Sequence, residues 1–314
     1  MKVSIICNVY NHEKYLRKCL DGFVKQECDF EYEVLIHDDA STDNSACIIK
    51  EYEQKYPNII KPIYQRENQY SKGVKISSTY QYPRAKGEYL AWCEGDDCWI
   101  DFLKLKKQVE FLDNNMEYSI CAHRVCFNNL YTKCKVNIPS ICEDKDYSVD
   151  EVIRSGAFVQ LSSIMIRKSI HLGMPKCFTA KEFGDIQLYI YGAICGKFRV
   201  LKDVMSQYNH GTKNSWTERV AKNKENCIRH NERKIEMLQR VNEYYNFKYD
   251  DAFQHAISSS LFNIAYLKND RREYKKAEYK MFLKARKRMD FVNGIPPFIQ
   301  RLLRKLKYAI KRQK

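Results

Sequence analysis

Short apolar runs alternate with amphipathic stretches over the first 120 residues. Val3–Val9 is apolar at nearly every position and reads as a buried strand, and residues 32–37, 59–65 and 88–93 repeat the pattern. Between them, residues 13–25 place Tyr15, Leu16, Leu20 and Phe23 at helical spacing. A second helix runs through Ile48, Ile49 and Tyr52 before Pro57, with Ser41 or Asp43 as its cap. Residues 76–86 are expected to be helical. This alternation predicts an α/β fold, a mostly parallel sheet flanked by helices on both faces. Further on, a helix through Leu105, Val109 and Leu112 ends near Asn114-Asn115, and residues 118–127 and 159–167 read as strands either side of a polar stretch, 128–150. From about residue 223 the pattern is helical, over 223–246, 250–268 and 271–289, until Gly294-Ile295-Pro296-Pro297 breaks it. The expected organisation is an α/β domain over 1–216, a helical region over 217–292 and a tail over 293–314.

Charge sharpens this division. The net charge of +15 is uneven: 13 Lys/Arg face 16 Asp/Glu in residues 1–100, 14 face 11 in 101–200, and 27 face 12 in 201–314. The basic excess of the last third points to an anionic partner, a membrane surface or a nucleic acid. Residues 298–314 interleave Phe298, Ile299, Leu302, Leu303, Leu306 and Ile310 with seven Lys/Arg and no acid. Such a basic amphipathic helix suits an anionic bilayer interface, with no nucleic acid expected, because the acid-rich first third would repel phosphate. A nucleic-acid-binding protein using the basic C-terminal helices is the alternative from another class. No apolar run reaches the length of a membrane span, and the N-terminus lacks a signal-peptide pattern, so a cytoplasmic protein is expected. Thirteen cysteines without a Cys-x-x-Cys pair read as reduced thiols rather than as a zinc site.

The chemistry concentrates where the apolar runs end. The fourth run stops at Glu94-Gly95-Asp96-Asp97, three carboxylates in four positions, at the strand end where open parallel sheets bind ligands. Crowded carboxylates raise one another's pKa unless a cation neutralises them, and their hard oxygens suit Mg²⁺ or Mn²⁺. A metal with open positions would hold a diphosphate. The first run ends at Asn8-Val9-Tyr10-Asn11-His12 and the second at Asp38-Asp39, so an aromatic face that can stack on a base and carboxylates that can accept its hydrogens share one rim. No glycine-rich phosphate loop is present, which argues against a nucleotidyltransferase.

Together these segments resemble the family 2 glycosyltransferases, which have the GT-A fold. Val3-Ser4-Ile5-Ile6-Cys7-Asn8-Val9-Tyr10-Asn11 is similar to the family's V-S-I-I-x-P-x-Y-N, and Leu35-Ile36-His37-Asp38-Asp39-Ala40-Ser41-Thr42-Asp43 to V-V-D-D-G-S-T-D. Ala85-Lys86-Gly87-Glu88-Tyr89 matches A-x-G-E-Y, and Glu94-Gly95-Asp96-Asp97 stands at the D-x-D-D metal motif. The resemblance spans roughly residues 1–216. It implies an inverting enzyme that moves a sugar from a UDP-sugar to a saccharide acceptor, in bacterial surface polysaccharide synthesis on a lipid carrier at the inner face of the plasma membrane. It further implies that Tyr10 stacks on uracil, Asn8 and Asn11 shape that pocket, Asp39 bonds the ring, and Asp38, Arg66 and Asn68 belong to the same pocket. Asp97 is implied as the ligand of a divalent metal, Mn²⁺ or Mg²⁺, and Asp96 as the ribose or second metal contact. Asp185, in Glu182-Phe183-Gly184-Asp185, is implied as the catalytic base, and His210, in Tyr208-Asn209-His210-Gly211, as a group approaching metal or diphosphate. Two departures from the pattern carry weight, Asn8 in place of proline and Glu94 in place of the first aspartate.

Overall fold

The four apolar runs form four neighbouring strands. In the computed structural model, which describes residues 1–156, 158–178, 184–213, 215, 218 and 223–294, these are β1 (Val3–Val9), β2 (Tyr32–Asp38), β3 (Ile60–Tyr64) and β4 (Tyr89–Trp92). They lie in the order β3-β2-β1-β4 and are parallel throughout, with Val9 registered beside Asp38 and Ile6 beside Trp92. All of β2 and all of β1 except Asn8 is buried, which is why these segments read as continuous apolar blocks. Helix α1 (Glu13–Val24) follows β1 and α2 (Ser45–Lys55) follows β2. The α1 residues Leu16, Cys19, Leu20 and Phe23 are buried, each large apolar one contributing roughly 1.5–3 kcal/mol. Phe23 meets Trp99 edge-on at 4.9 Å.

The rest of the sheet comprises β5 (Cys98–Trp99), β6 (Tyr118–Asn129), β7 (Cys134–Ile138), β8 (Lys145–Tyr147), β9 (Met165–Arg167) and β10 (Lys197–His210). Its order continues β4-β9-β6-β10-β5, with β7 on β6 and β8 on β10. Strand β9 runs antiparallel to β4 and β6, and β10 antiparallel to β5 and β8. The α/β, GT-A-type architecture is thus parallel where the acidic strand ends lie. Helices α3 (Lys104–Asn114), α4 (Val149–Ser155), α5 (Lys168–Leu172) and α6 (Gly184–Cys195) connect these strands.

Several elements differ from the sequence expectation. Residues 76–86 form a π turn, Ser77–Gln81, followed by a 3-10 turn, Tyr82–Arg84. Pro83 removes a helical donor there, while the Gln81 amide is drawn inward to the carbonyls of Cys7 (3.2 Å) and Leu35 (2.9 Å). The strand expected over 159–167 shortens to β9, because Ser163 donates both N–H and hydroxyl to Gln160 O and closes a 3-10 turn instead. Strand β10 went unforeseen: Lys202 and Asp203 interrupt its alternation at the middle. Gly87 of Ala-Lys-Gly-Glu passes so near β1 that a Cβ would run into the backbone of Val3 and Ser4.

The described chain forms two compact units, Met1–Phe127 with Val136–Asn209, and Asn128–Lys135 with the residues from His210 onward. The second contains α7 (Lys224–Tyr244), α8 (Asp250–Lys268), α9 (Arg271–Tyr274) and α10 (Lys280–Gly294). Helices α7 and α8 pack on each other and bury Met237, Leu238, Val241, Phe253 and Ile257. The single helix expected over 271–289 is broken by a 3-10 turn, Ala277–Tyr279, that buries Tyr279. Among the described residues no helix is long and apolar enough to cross a membrane. The basic segment 298–314 lies outside them, as do Glu182 and Phe183.

A lysine sits inside the first unit. Lys104 is fully buried, its Nζ 3.9 Å from the Trp99 ring centroid and donating to Gln108 Oε1 at 2.7 Å. Burial pushes its pKa down to about 7. The unfolded chain, with an ordinary lysine pKa, binds more protons between pH 7 and 10, so this residue makes stability rise with pH across that range. Urea melts should show a gain of about 2 kcal/mol from pH 7 to 9 that Lys104→Met lacks. Parallel pH slopes in the two proteins would refute this.

Candidate active site

The rim begins with two loops that hold each other. Asn11 has φ 58°, and its side-chain Oδ1 accepts from Thr42 N at 2.7 Å while its backbone N–H donates to Ser41 Oγ at 3.0 Å. Next to it, His12 N donates to Ser45 Oγ at 2.9 Å. Asp43 bridges two helix starts, one oxygen accepting from Glu13 N (3.0 Å) at α1 and the other from Ser45 N (2.9 Å) at α2. The cap position of α2 is Asn44 rather than Ser41 or Asp43, and Asp43 serves instead as acceptor for the first N–H of both helices. Ala40, at the glycine position of the resembled pattern, has φ 60°, a left-handed conformation that costs a side-chain-bearing residue about 1–2 kcal/mol. Ala40→Gly should raise stability by about 0.5–1 kcal/mol, read as a thermal midpoint about 2–3 °C higher. A lower midpoint would refute the strain.

The residues assigned to the nucleotide pocket divide into exposed and engaged groups. Tyr10, 38% exposed, stands free at the end of β1 with its ring available for stacking. Arg66 is exposed on the loop after β3. Asp39 is buried, and its two oxygens accept from the backbone N–H groups of Gln69 (2.8 Å) and Tyr70 (3.0 Å). Asn68 donates to Asp39 O at 3.2 Å, so Asp39 organises the loop that carries Asn68. His37 Nε2 lies 3.4 Å from Asp39 Oδ1, with the imidazole against Tyr80 at 4.9 Å between centroids. Asp38 is buried with Oδ1 unpaired, and burial raises its pKa against the pull of hydrogen bonds from Ser41.

Beside these, the acidic cluster turns tightly at the end of β4. Gly95 N donates to Asn8 O at 3.1 Å and Asp97 N to Glu94 O at 3.0 Å. A Cβ at Gly95 would meet His12 Nδ1 at 2.8 Å and Val9 Cγ2 at 2.9 Å, so glycine lets the turn lie against the first loop. Asp97 is 5% exposed, and burial followed by the charge of Asp96 holds its pKa well above the carboxylate range. Burial, then Asp96, pushes Glu94 up to about 8. Asn209 of β10 clamps the cluster: its N–H donates to Asp97 Oδ1 at 2.9 Å and its side-chain amide to Asp96 O at 2.7 Å.

Asp185 lies in the first turn of α6, half-buried, its Oδ1 accepting from Ile186 N at 2.8 Å. His210 closes β10 and falls in the second compact unit, where its ring meets Tyr131 edge-on at 6.0 Å. Sequence reasoning missed Asn209, Ser77, Gln81 and His12. The Tyr-Asn-His segment drew notice for its histidine, whereas the residue bonded to the carboxylates is the asparagine before it. His12 carried no spacing signal; burial lowers its pKa against the opposing pull of Asp96, Asp43 and Asp38.

Among the described residues, no group of three His, Cys, Asp or Glu side chains converges closely enough to hold a metal alone. Asp96 and Asp97 nonetheless fit a divalent cation chemically, being hard oxygen donors whose mutual repulsion and burial a cation would relieve. Further positions would have to come from a ligand such as a diphosphate.

A parallel sheet with an aromatic group, buried acids and a carboxylate turn on one rim defines a glycosyltransferase of the GT-A type. The chain belongs to glycosyl transferase family 2, whose sequence profile matches residues 4–170. It is 35% identical over 225 residues to the uncharacterized protein Rv1520 of Mycobacterium tuberculosis, a match covering 68% of this chain and 60% of that protein. The chain thus spans less than two thirds of that relative's length. In fold it is similar to Staphylococcus aureus TarS 1–349 in complex with UDP-GlcNAc, with TM-score 0.54 and 17% identity over 85% of this chain and 81% of the other. It is also similar in fold to the mannosyltransferase PcManGT of Pyrobaculum calidifontis in complex with GDP-Man and Mn²⁺, with TM-score 0.52 and 13% identity over 90% and 82%.

Proposed function

We propose that the chain transfers a sugar from a UDP-sugar to a saccharide acceptor with inversion, in the synthesis of a bacterial surface polysaccharide on a lipid carrier. The observation that carries this reading is the adjacency of three strand ends, β2, β1 and β4, which brings Asp38 and Asp39, Tyr10, and Asp96 and Asp97 onto one rim. Tyr10 stacks on the base, and Asn8, Asn11, Asp38, Asp39, Arg66 and Asn68 form the pocket around the nucleoside. Asp96 meets the ribose and Asp97 holds a divalent metal, with His210 as a further candidate for metal or diphosphate. Bound Mn²⁺ or Mg²⁺ would supply electrostatic stabilisation of the departing diphosphate. Asp185 takes the proton of the acceptor hydroxyl as its oxygen bonds the anomeric carbon and the carbon–oxygen bond to UDP breaks. The enzyme works at the cytoplasmic face of the plasma membrane, with 298–314 on the anionic lipid.

Supporting this, a UDP complex is on record for a protein of like fold, and the basic excess of the last third suits a lipid-borne acceptor. The test is thermal stabilisation by UDP-, GDP- and dTDP-sugars with and without Mn²⁺. Stabilisation by UDP-sugars, larger with Mn²⁺, is expected. A response confined to GDP- or dTDP-sugars would overturn the donor assignment.

A further inference from the structure

Two departures from the family pattern fall on residues that touch. Asn8 stands at the last but one position of β1, where the resembled pattern has proline, and Glu94 stands where it has aspartate. The Asn8 amide nitrogen donates to Glu94 Oε1 at 3.2 Å and to Ser77 Oγ at 3.1 Å. Gln81 Nε2 reaches Asn8 Oδ1 at 3.5 Å from the other side, and Asn8 O accepts from Gly95 N at 3.1 Å. Proline has no side-chain amide to offer, and an aspartate is one methylene shorter than the side chain that makes this contact.

We propose that Glu94 is a positioning residue of the nucleotide pocket and not a metal ligand: bonded to Asn8, it ties the end of β4 to the first loop and to the Ser77–Gln81 turn. This rests on the UDP-sugar reading above. The carboxylate of Glu94 is committed toward Asn8, while Asn209 of β10 holds Asp96 and Asp97 from the opposite strand. The acidic turn therefore divides in two. Asp97 serves the cation and Asp96 the ribose, and Glu94 fixes the geometry of Asn8, two residues before the stacking ring of Tyr10. Ser77 and Gln81 belong to the same network, which gives the π turn a place in the site, where such turns often occur.

The division makes different substitutions fail in different ways. A metal ligand needs the anionic oxygen, so Glu94→Gln would then weaken Mn²⁺. A positioning acceptor needs only an oxygen of the right reach, which the glutamine carbonyl provides. Calorimetry on the full chain should follow UDP binding at saturating Mn²⁺ and Mn²⁺ binding at saturating UDP, with Asp97→Asn as the reference for a lost ligand. Expected is that Glu94→Gln keeps both affinities within about threefold, whereas Glu94→Ala and Asn8→Ala each weaken UDP about tenfold, the scale of one lost hydrogen bond, and leave Mn²⁺ alone. The double alanine variant should lose no more than either single one, because the two residues act through one contact.

A Glu94→Gln protein that loses Mn²⁺ as severely as Asp97→Asn would overturn the proposal, since Glu94 would then be a ligand. Additive losses in the double variant, or alanine variants that bind UDP like the unaltered chain, would overturn it as well. If the unaltered chain binds no uridine nucleotide, the donor reading fails first and takes this inference with it.

Discussion

Asp185→Asn should slow sugar transfer by about 10²–10⁴-fold while leaving the affinity for UDP unchanged. The reason lies in what the substitution removes. Asparagine matches aspartate in shape and keeps an oxygen for the Ile186 N–H that Asp185 Oδ1 accepts at 2.8 Å, so this contact in the first turn of α6 is retained. Only the proton acceptor is lost. In an inverting displacement the acceptor hydroxyl must shed its proton as it attacks, and a neutral amide cannot take it. In the proposed function the donor sits at the strand ends of β1, β2 and β4, none of which includes Asp185. Initial rates of UDP release with donor and acceptor, set beside calorimetric UDP affinity, separate the two. Turnover like that of the unaltered protein would remove Asp185 from the mechanism; a parallel loss of UDP affinity would make it a binding residue.

Asp97→Ala should abolish the Mn²⁺-dependent part of UDP binding, a drop on the order of a hundredfold, since even supporting bonds around a metal ligand cost 10–100-fold when lost. Asp97 is buried against Asp96, and in the absence of a cation its ionised form is disfavoured by both burial and that charge. The alanine variant should therefore fold at least as well at neutral pH, apart from the Asn209 N–H that loses its acceptor. A melting curve distinguishes this from general damage. UDP affinity that is equal with and without Mn²⁺ in both proteins would dismiss the metal from this site.

Much of this arrangement is readable in the linear order of residues. The continuous apolar blocks at Val3–Val9 and Tyr32–Asp38 announce strands buried on both faces, because only such strands can dispense with polar alternation. The carboxylates of 94–97 follow directly on the strand Tyr89–Trp92, so their place at a strand end needs no tertiary knowledge. The helical spacing of Leu16, Leu20 and Phe23 reports one buried face in the same local way. Where the reading failed, long-range contacts had overridden local pattern. Gln81 reaches back 74 positions to Cys7 and turns a helix into a π turn, and the charged middle of Lys197–His210 hides a strand that its neighbours in the sheet impose.

The sequence by itself determined the parallel α/β core, the three polar strand ends and the membership in glycosyl transferase family 2, because each is written in residues close together along the chain. Only the tertiary structure decided how the site residues are held. It gave Asn209, 112 positions from Asp97, the task of clamping the acids; it made Asp43 the acceptor for the first N–H of two helices; and it joined Asn8 to Glu94 across 86 positions. Hydrogen bonds between distant segments leave no periodicity in the chain, since their geometry exists only after β1, β4 and β10 have been brought to the same rim.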